Sequence, residues 1–184
     1  AILPGLVALA EQTSASEAEV IAAFVTGYDI ACRVGLLVSP SHYTHGFHAT
    51  ATVGSIGAAV ACAHLMRLDE DRMAMAIGIA VTTASGLKSM FGTMCKPFHA
   101  GRAAQNGLLA ARLAARGYSS RPDALECAQG FAATQSTDFN AEAAMQDMPL
   151  DHHIRGNLFK YHASCYLTHG AIEAAQTLRR QTGV

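Results

Sequence analysis

One stretch of this chain, TATVGSIGAAVACAHLMRL at residues 50–68, restricts the possible folds more than any other. Its apolar residues recur at helical spacing, and Gly54, Gly57, Ala58 and Ala61 form a stripe of small side chains along it. Such a stripe lets a neighbouring helix come close, because no bulky side chain separates the two backbones. The sequence therefore predicts a helix here with another helix packed closely against it.

Helical spacing extends along most of the chain, and strand signals are few. Ser16 and Glu19 form a capping-box pattern, in which each side chain bonds the other residue's backbone amide. The segment NLFKYHA at residues 157–163 is the exception, and it is typical of a short strand or an extended connection. Helices are predicted over residues 16–37, 50–68, 69–86, 97–117 and 164–183, with a shorter one after Pro122. The expected fold class is therefore mainly α.

Composition limits the classes of partner that this chain can have. Of its 184 residues, 51% are apolar and 15% are charged, and the formal net charge is -1. Low charge favours a surface that a second subunit partly covers, and it offers no footprint for nucleic acid or for anionic lipid. No run reaches the roughly 18–20 uninterrupted apolar residues of a membrane span. The five cysteines contain no C-x-x-C pair, so we expect a reducing, cytoplasmic setting.

Lys96 precedes a proline in GTMCKPFHAGRAAQNG, residues 92–107. Pro97 biases Lys96 towards an extended conformation and is itself suited to a first helical turn. Lys96 is therefore predicted to stand just outside a helix N-terminus, where its ammonium group and the free amides of the first turn face the same space. That arrangement would hold a carboxylate and suits proton transfer. A solvated lysine at a loop tip is the alternative.

Other imidazole and cationic side chains stand at predicted helix starts. His48 directly precedes ATATVGSIG, the start of a predicted helix, where the neutral imidazole is favoured over the cation and can act as a base. A capping or packing histidine is the alternative. His99 follows Lys96 in the first turn of its helix, and Lys160 precedes a helix whose first turn contains Cys165. Cys165 has no evident base, but the repeated arrangement predicts one pocket for a polyanion.

A metal site is the weakest reading of the histidine-bearing stretch SHYTHGFH, residues 41–48. Histidines three residues apart can share a metal ion on a helix, and His42, His45 and His48 have that spacing. The stretch is typical of a loop, however, and no matching set of carboxylates or cysteines follows it. No metal is therefore expected.

Three motifs together resemble a known family. They are G-F-H-x-T-x-x-x-G at residues 46–54, K-P-x-H-x-G-x-A-A starting forty-eight residues after His48, and YLTHGAIEA at residues 166–174. With the long apolar segment between the first two, this pattern closely resembles the MmgE/PrpD family, which includes 2-methylcitrate dehydratase, cis-aconitate decarboxylase and iminodisuccinate epimerase.

The resemblance implies an all-helical main domain with a smaller α/β lid, a cofactor-free site between them and a homodimer. In this chain the helical domain would cover residues 1–156 and the start of the lid residues 157–184. Members of the family act on small di- or tricarboxylic acids by removing or adding a proton next to a carboxylate. A lyase or isomerase that resembles 2-methylcitrate dehydratase is therefore expected.

The resemblance also assigns roles to residues. His48 and Lys96 would be the catalytic acid/base and carboxylate-binding groups. Lys160 would be a second carboxylate anchor in the lid, and His99 and Cys165 would bind substrate close by.

Family members are much longer, so this chain is expected to lack part of the site and most of the lid. A non-catalytic remnant that keeps a carboxylate-binding helical dimerisation domain is therefore the alternative function.

Overall fold

The computed structural model describes residues 1–146 and 152–183 of the chain. Within these residues the secondary structure is helical, with three short 3₁₀ turns, no strand and one isolated bridge between Phe47 and Leu87. The prediction of a mainly helical fold is confirmed. The helices are α1 (Ile2–Thr13), α2 (Glu17–Val38), α3 (Ser41–Thr44), α4 (Ala49–Leu65), α5 (Glu70–Thr83), α6 (Cys95–Ala115), α7 (Phe131–Gln135), α8 (Ala141–Met145) and α9 (His169–Thr182).

The central helix is α4, and every residue from Ala51 to Ala63 on it is buried. Helices α1, α2, α5 and α6 pack around it. This burial on all sides is possible because its side chains are small: a Cβ atom on Gly27 of α2 would lie 2.4 Å from the carbonyl oxygen of Gly57 on α4. The predicted close approach of a neighbouring helix is therefore present, and it is made with α2 and α6.

Helices α4 and α6 run parallel to each other. A Cβ atom on Gly107 of α6 would lie 2.3 Å from the Cβ of Ala58, and Asn106 donates from its side-chain amide to the Ser55 hydroxyl at 3.4 Å. These contacts follow one direction along both helices, so the N-termini of α4 and α6 lie at the same end. Asn106 also donates to the carbonyl of Thr83 at 3.1 Å, which ties the end of α5 to the pair.

The capping box predicted at the start of α2 is present. The Glu19 amide donates to the Ser16 hydroxyl, and the Ser16 amide donates to the Glu19 carboxylate at 2.9 Å. The Ser16 amide and hydroxyl both donate to this carboxylate, and together with Arg67 they lower the pKa of Glu19 to about 2. The next predicted start, at residue 69, is also close to the observed one, because Asp69 caps α5 through the Arg72 amide.

Asp29 on α2 anchors a later part of the chain. Its carboxylate pairs with Arg33 at 3.1 Å and accepts the backbone amide of His153 at 3.0 Å. Arg33 in turn donates to the carbonyl of Ala144 in α8 at 3.0 Å. One ion pair on α2 therefore positions segments more than a hundred residues away in sequence.

The predicted start of α6 is wrong by two residues. The helix begins at Cys95, so Lys96 lies inside the first turn and does not precede it. Pro97 is tolerated there because the first four amides of a helix have no intrahelical acceptor, and a missing N–H costs nothing at that position.

The short helix predicted after Pro122 does not form. Residues 122–130 make successive turns, with the amides of Glu126 and Cys127 both bonded to the carbonyl of Asp123. Arg121 holds the Asp123 side chain through two hydrogen bonds, at 2.8 and 2.7 Å. This local ion pair and the following Gly130 favour turns, and α7 begins only at Phe131.

The C-terminal segment differs from the prediction in its helix start. No strand forms over residues 157–163, and α9 begins at His169 after a 3₁₀ turn at Tyr166–Thr168. The Thr168 hydroxyl bonds the carbonyl of Cys165 at 2.7 Å, which favours the tight turn over an earlier α-helical start. Ser164 and Cys165 therefore precede the helix. The domain boundary at residue 157 stays a prediction.

By length and composition, α2 is able to cross a membrane. A core helix passes the same test, and α2 buries Ala23, Gly27 and Val34 and carries the Arg33–Asp29 ion pair. This is weak evidence for a membrane segment. The expectation of no membrane association stays a prediction.

Two glycine substitutions on α2 test the close packing against α4. In Gly27→Ala the new methyl group meets the Gly57 carbonyl and the Ala61 side chain, so we expect a loss of about 1–3 kcal/mol in the free energy of unfolding. Gly35→Ala is the matched control, because a Cβ there meets no atom within 4 Å, and it should stabilise the protein by about 0.5–1 kcal/mol. Denaturant unfolding measures both. Equal effects of the two variants would contradict the packing described.

Candidate functional site

Two histidines meet where the N-termini of α4 and α6 lie side by side. His48 is the N-cap residue of α4, and His99 is the fifth residue of α6. Each ring is buried, with 8% of the residue exposed, and their Nδ1 atoms are 2.8 Å apart. The parallel packing of α4 on α6 therefore brings together two imidazoles that are 51 residues apart in sequence.

The environment of His48 favours its neutral form. Burial lowers the pKa of His48 below its ordinary value of 6.5, and the neighbouring His99 and Lys96 lower it further. This agrees with the sequence-based expectation of a neutral imidazole at this helix start. A neutral imidazole near pH 7 carries one lone pair and one N–H, so it can serve as base or acid.

Lys96 and His48 both contact the aromatic ring of Phe91. Its Nζ lies 4.9 Å from the centroid of the Phe91 ring, and the His48 ring meets Phe91 edge-on at 4.8 Å between centroids. Phe91 therefore contacts both the ammonium group and the imidazole, which places the two groups at one site. A cation over an aromatic face is attracted by the ring quadrupole, which fixes the position of the lysine.

The sequence interpretation missed Phe91. It lies between Gly86 and Gly92, whose φ angles of 146° and 85° are in the region that favours glycine. These two glycines, which precede the K-P-x-H motif, were the signal in the sequence that could have identified this loop. A Cβ on Gly86 would also lie 2.4 Å from the Cβ of Ala51, so the loop approaches α4 closely.

This loop is fastened to the segment before α4. The Gly86 carbonyl accepts the His48 amide at 3.0 Å, and the Gly46 carbonyl accepts the Lys88 amide at 2.7 Å. The Lys88 ammonium donates to the Tyr43 carbonyl at 2.8 Å. Lys88, which the sequence interpretation did not identify, therefore helps to fix the loop that carries Phe91 against the segment before α4.

The amides that could bind an anion belong to α4. Those of α6 are occupied: Cys95 and Lys96 donate to the hydroxyl and carbonyl of Thr93, and Phe98 donates to Met94. The prediction of free amides beside Lys96 is therefore wrong, because Thr93 caps that turn. In the described part of the chain, the first two amides of α4, those of residues 49 and 50, have no partner.

His42 is a packing residue. Its Nδ1 lies 3.1 Å from the carbonyl of Gln135, which only accepts, so Nδ1 carries the hydrogen. Its Nε2 then accepts from the Thr52 hydroxyl at 2.7 Å. The ring stacks on Phe47 with centroids 4.7 Å apart, and burial lowers its pKa. Among the residues that the structure describes, no group of three or more His, Cys, Asp or Glu is placed to hold a metal.

Lys160 and Cys165 are not joined to the histidine pair by any contact in the described residues. The Lys160 ammonium donates to the carbonyl of Ser164 at 3.0 Å, within its own segment. Cys165 is exposed, as are the aromatic side chains of Phe159 and Tyr161 beside it. The structure thus brings together His48, Lys96 and His99, and it leaves the two other predicted residues on a separate segment.

Comparison with known proteins gives a consistent result. The family model described as the MmgE/PrpD N-terminal domain matches residues 1–144. Over 98% of this chain, a cis-aconitate decarboxylase of Aspergillus terreus (strain NIH 2624 / FGSC A1156) is 34% identical. The human cis-aconitate decarboxylase is 31% identical over 72% of the chain and 29% of its own length. A cis-aconitate decarboxylase-like protein, oryM, of Aspergillus oryzae (strain ATCC 42149 / RIB 40) is 30% identical over 97% of the chain and 40% of its own length. The chain spans 40% of the length of the first of these relatives.

The low pKa of His48 predicts how stability depends on pH. Below its ordinary pKa of 6.5 the unfolded chain binds a proton on this imidazole, whereas the folded protein binds it only at lower pH. The free energy of unfolding should therefore decrease as the pH is lowered from about 7 to 5, and it should decrease less steeply in His48→Asn. At about pH 8 imidazole is neutral in both states, so the difference in the free energy of unfolding between the two proteins there reports any lost packing alone. Identical pH dependence in the two proteins would contradict this assignment.

Proposed function

The chain belongs to the MmgE/PrpD family, and from that premise we propose that it forms part of a lyase that moves a proton next to a carboxylate of a small polycarboxylic acid. The observation that carries this proposal is the meeting of His48, His99 and Lys96 at one site. The neutral imidazole of His48 and the adjacent imidazole of His99 supply acid and base, and a lysine supplies the charge that balances a carboxylate.

The charge of the surrounding segments supports an acidic substrate. Residues 41–65 and 84–115, which form the site, contain no Asp or Glu. They contribute the Lys96 ammonium and the unpaired amides at the positive end of the α4 dipole. A negatively charged guest therefore meets favourable groups and no competing carboxylate from these segments.

We propose cis-aconitate as the first substrate to test, because three relatives carry the name of that decarboxylase or of a protein like it. In such a reaction the bond to one carboxylate carbon breaks and carbon dioxide leaves. The electron pair stays on the remaining carbon skeleton, delocalised by the double bond and its carboxylates. An imidazole N–H then gives its proton to carbon, and the imidazole regains one proton from water, while Lys96 stabilises the negative charge until that transfer.

Dehydration of 2-methylcitrate is the second candidate, on the resemblance of the three sequence motifs. It uses the same groups in a different order: a neutral imidazole removes the proton next to a carboxylate, and an N–H protonates the hydroxyl that leaves as water. Lys160 and Cys165 are proposed as further contacts to the substrate. They would have to approach the histidine pair when substrate binds.

Replacing Lys96 tests the proposed charge balance. Lys96→Met keeps a long unbranched side chain against Phe91 and removes the ammonium group, so kcat/KM for the substrate should fall by about 100-fold or more. Arg102→Met is the matched control, because it removes an exposed positive charge from the same helix. It should leave kcat/KM within about fivefold of the wild type.

Proton NMR of the purified protein with cis-aconitate and with 2-methylcitrate measures both variants. Turnover of Lys96→Met at the wild-type rate would remove Lys96 from the mechanism. Absence of turnover with every small polycarboxylate tested would overturn the proposed function.

A further inference from the structure

The contact between His48 and His99 restricts where hydrogens can lie. Their Nδ1 atoms are 2.8 Å apart, which is a hydrogen-bond distance between two nitrogen atoms. Two N–H groups would place two hydrogens in that gap, and two bare nitrogens would place two lone pairs there. Both arrangements are repulsive, so the contact requires a single hydrogen between the rings.

The outer nitrogens then differ as long as neither ring carries a charge. If both rings are neutral, the ring that donates through Nδ1 has a lone pair on Nε2, and the ring that accepts carries its hydrogen on Nε2. Neither Nε2 atom has a hydrogen-bond partner within residues 1–146 and 152–183. One base and one acid are therefore available at the two outer ends of the pair, one on each ring, whichever ring is the donor.

We propose that His48 and His99 form one acid–base unit, in which a shared Nδ1 hydrogen makes the two outer nitrogens a matched base and acid. This inference rests on the proposed function for the use of the unit, but not for its existence. It gives His99 a role beyond substrate contact: it sets the protonation state of His48.

The proton count of the unit balances over a reaction. The Nε2 lone pair of the donor ring takes a proton from the substrate in a dehydration, or from water in a decarboxylation, and that ring becomes a cation. Its Nδ1 hydrogen crosses to the other Nδ1, and the positive charge moves with it. The second ring then releases its Nε2 hydrogen to the leaving oxygen or to carbon. The unit ends with the same number of protons and with the two tautomers exchanged, and no oxidant or other reactant is needed.

The surrounding charges favour a unit that is neutral at rest. Asp138 contacts the start of α3, but its carboxylate accepts hydrogen bonds from Ser41 and Ser136. Besides His99, the titratable groups of residues 41–47 and 84–102 are those of His42, Tyr43, His45, Lys88, Cys95, Lys96 and Arg102, and no carboxylate is among them. A second proton added to the pair would be repelled by the Lys96 ammonium group and by the ring that is already charged. The two rings should therefore titrate as a coupled pair.

Nitrogen NMR of the purified protein with ¹⁵N-labelled histidine tests the unit directly. Two variants at position 99 separate its features: His99→Asn keeps an amide where the Nδ1 atom lies but cannot pass on a proton, and His99→Leu removes the hydrogen bond. In the wild type, the signals of His48 and His99 should shift with shared midpoints as pH falls. In His99→Asn, His48 should titrate alone, with its midpoint moved. Independent midpoints in the wild type and an unmoved His48 midpoint in His99→Asn would overturn the proposal.

Turnover gives the second readout. We expect kcat to fall by about tenfold or more in His99→Asn and further in His99→Leu, with one limb of the pH–rate profile displaced and KM little changed in the asparagine variant. His64→Gln, which replaces an exposed histidine in the last turn of α4, is the control and should keep wild-type turnover. A wild-type kcat and pH profile in His99→Asn would overturn the relay.

The two readouts distinguish the inference from the function on which it rests. Coupled titration without turnover of any polycarboxylate supports the unit and removes the proposed function. Turnover with independent titration removes the unit and leaves the proposed function standing.

Discussion

The close parallel contact between α4 and α6 is the constraint on which the rest of the structure depends. Gly107 meets Ala58 with no room for a methyl group, and Asn106 bonds Ser55 one position earlier on α6. A shift of one turn, about 5 Å, would break both contacts. Because this register is fixed, the two helix starts lie together and His48 faces His99. The site is therefore a consequence of how small residues are placed in the core.

This packing gives the site its electrostatic character. The segments that form it have no acidic residue, and they supply a lysine, two buried imidazoles and the positive end of a helix. Burial favours the neutral form of His48 by lowering its pKa, and Phe91 contacts both the Lys96 ammonium group and the His48 ring. Under the proposed function, an anionic substrate balances the charge of Lys96, while the imidazoles remain available for proton transfer.

Local signals predicted much of the fold, and contacts between distant segments were not predictable from sequence. The capping box at Ser16 and the small residues of α4 depend on neighbours in sequence, and both are present as expected. The start of α6 was misplaced because Pro97 is compatible with more than one position in a first turn, and Thr93 decided between them. The pairing of His48 with His99 depends on a helix register that no short motif records.

The most direct test of this account is a crystal structure of the protein with tricarballylate, a saturated tricarboxylate that resembles cis-aconitate but has no double bond. The account predicts one carboxylate within about 3 Å of the Lys96 ammonium and of the free amides at the start of α4, with the Nδ1 contact between His48 and His99 intact. A tricarballylate molecule bound elsewhere, or two histidine rings turned away from each other around an empty site, would contradict it.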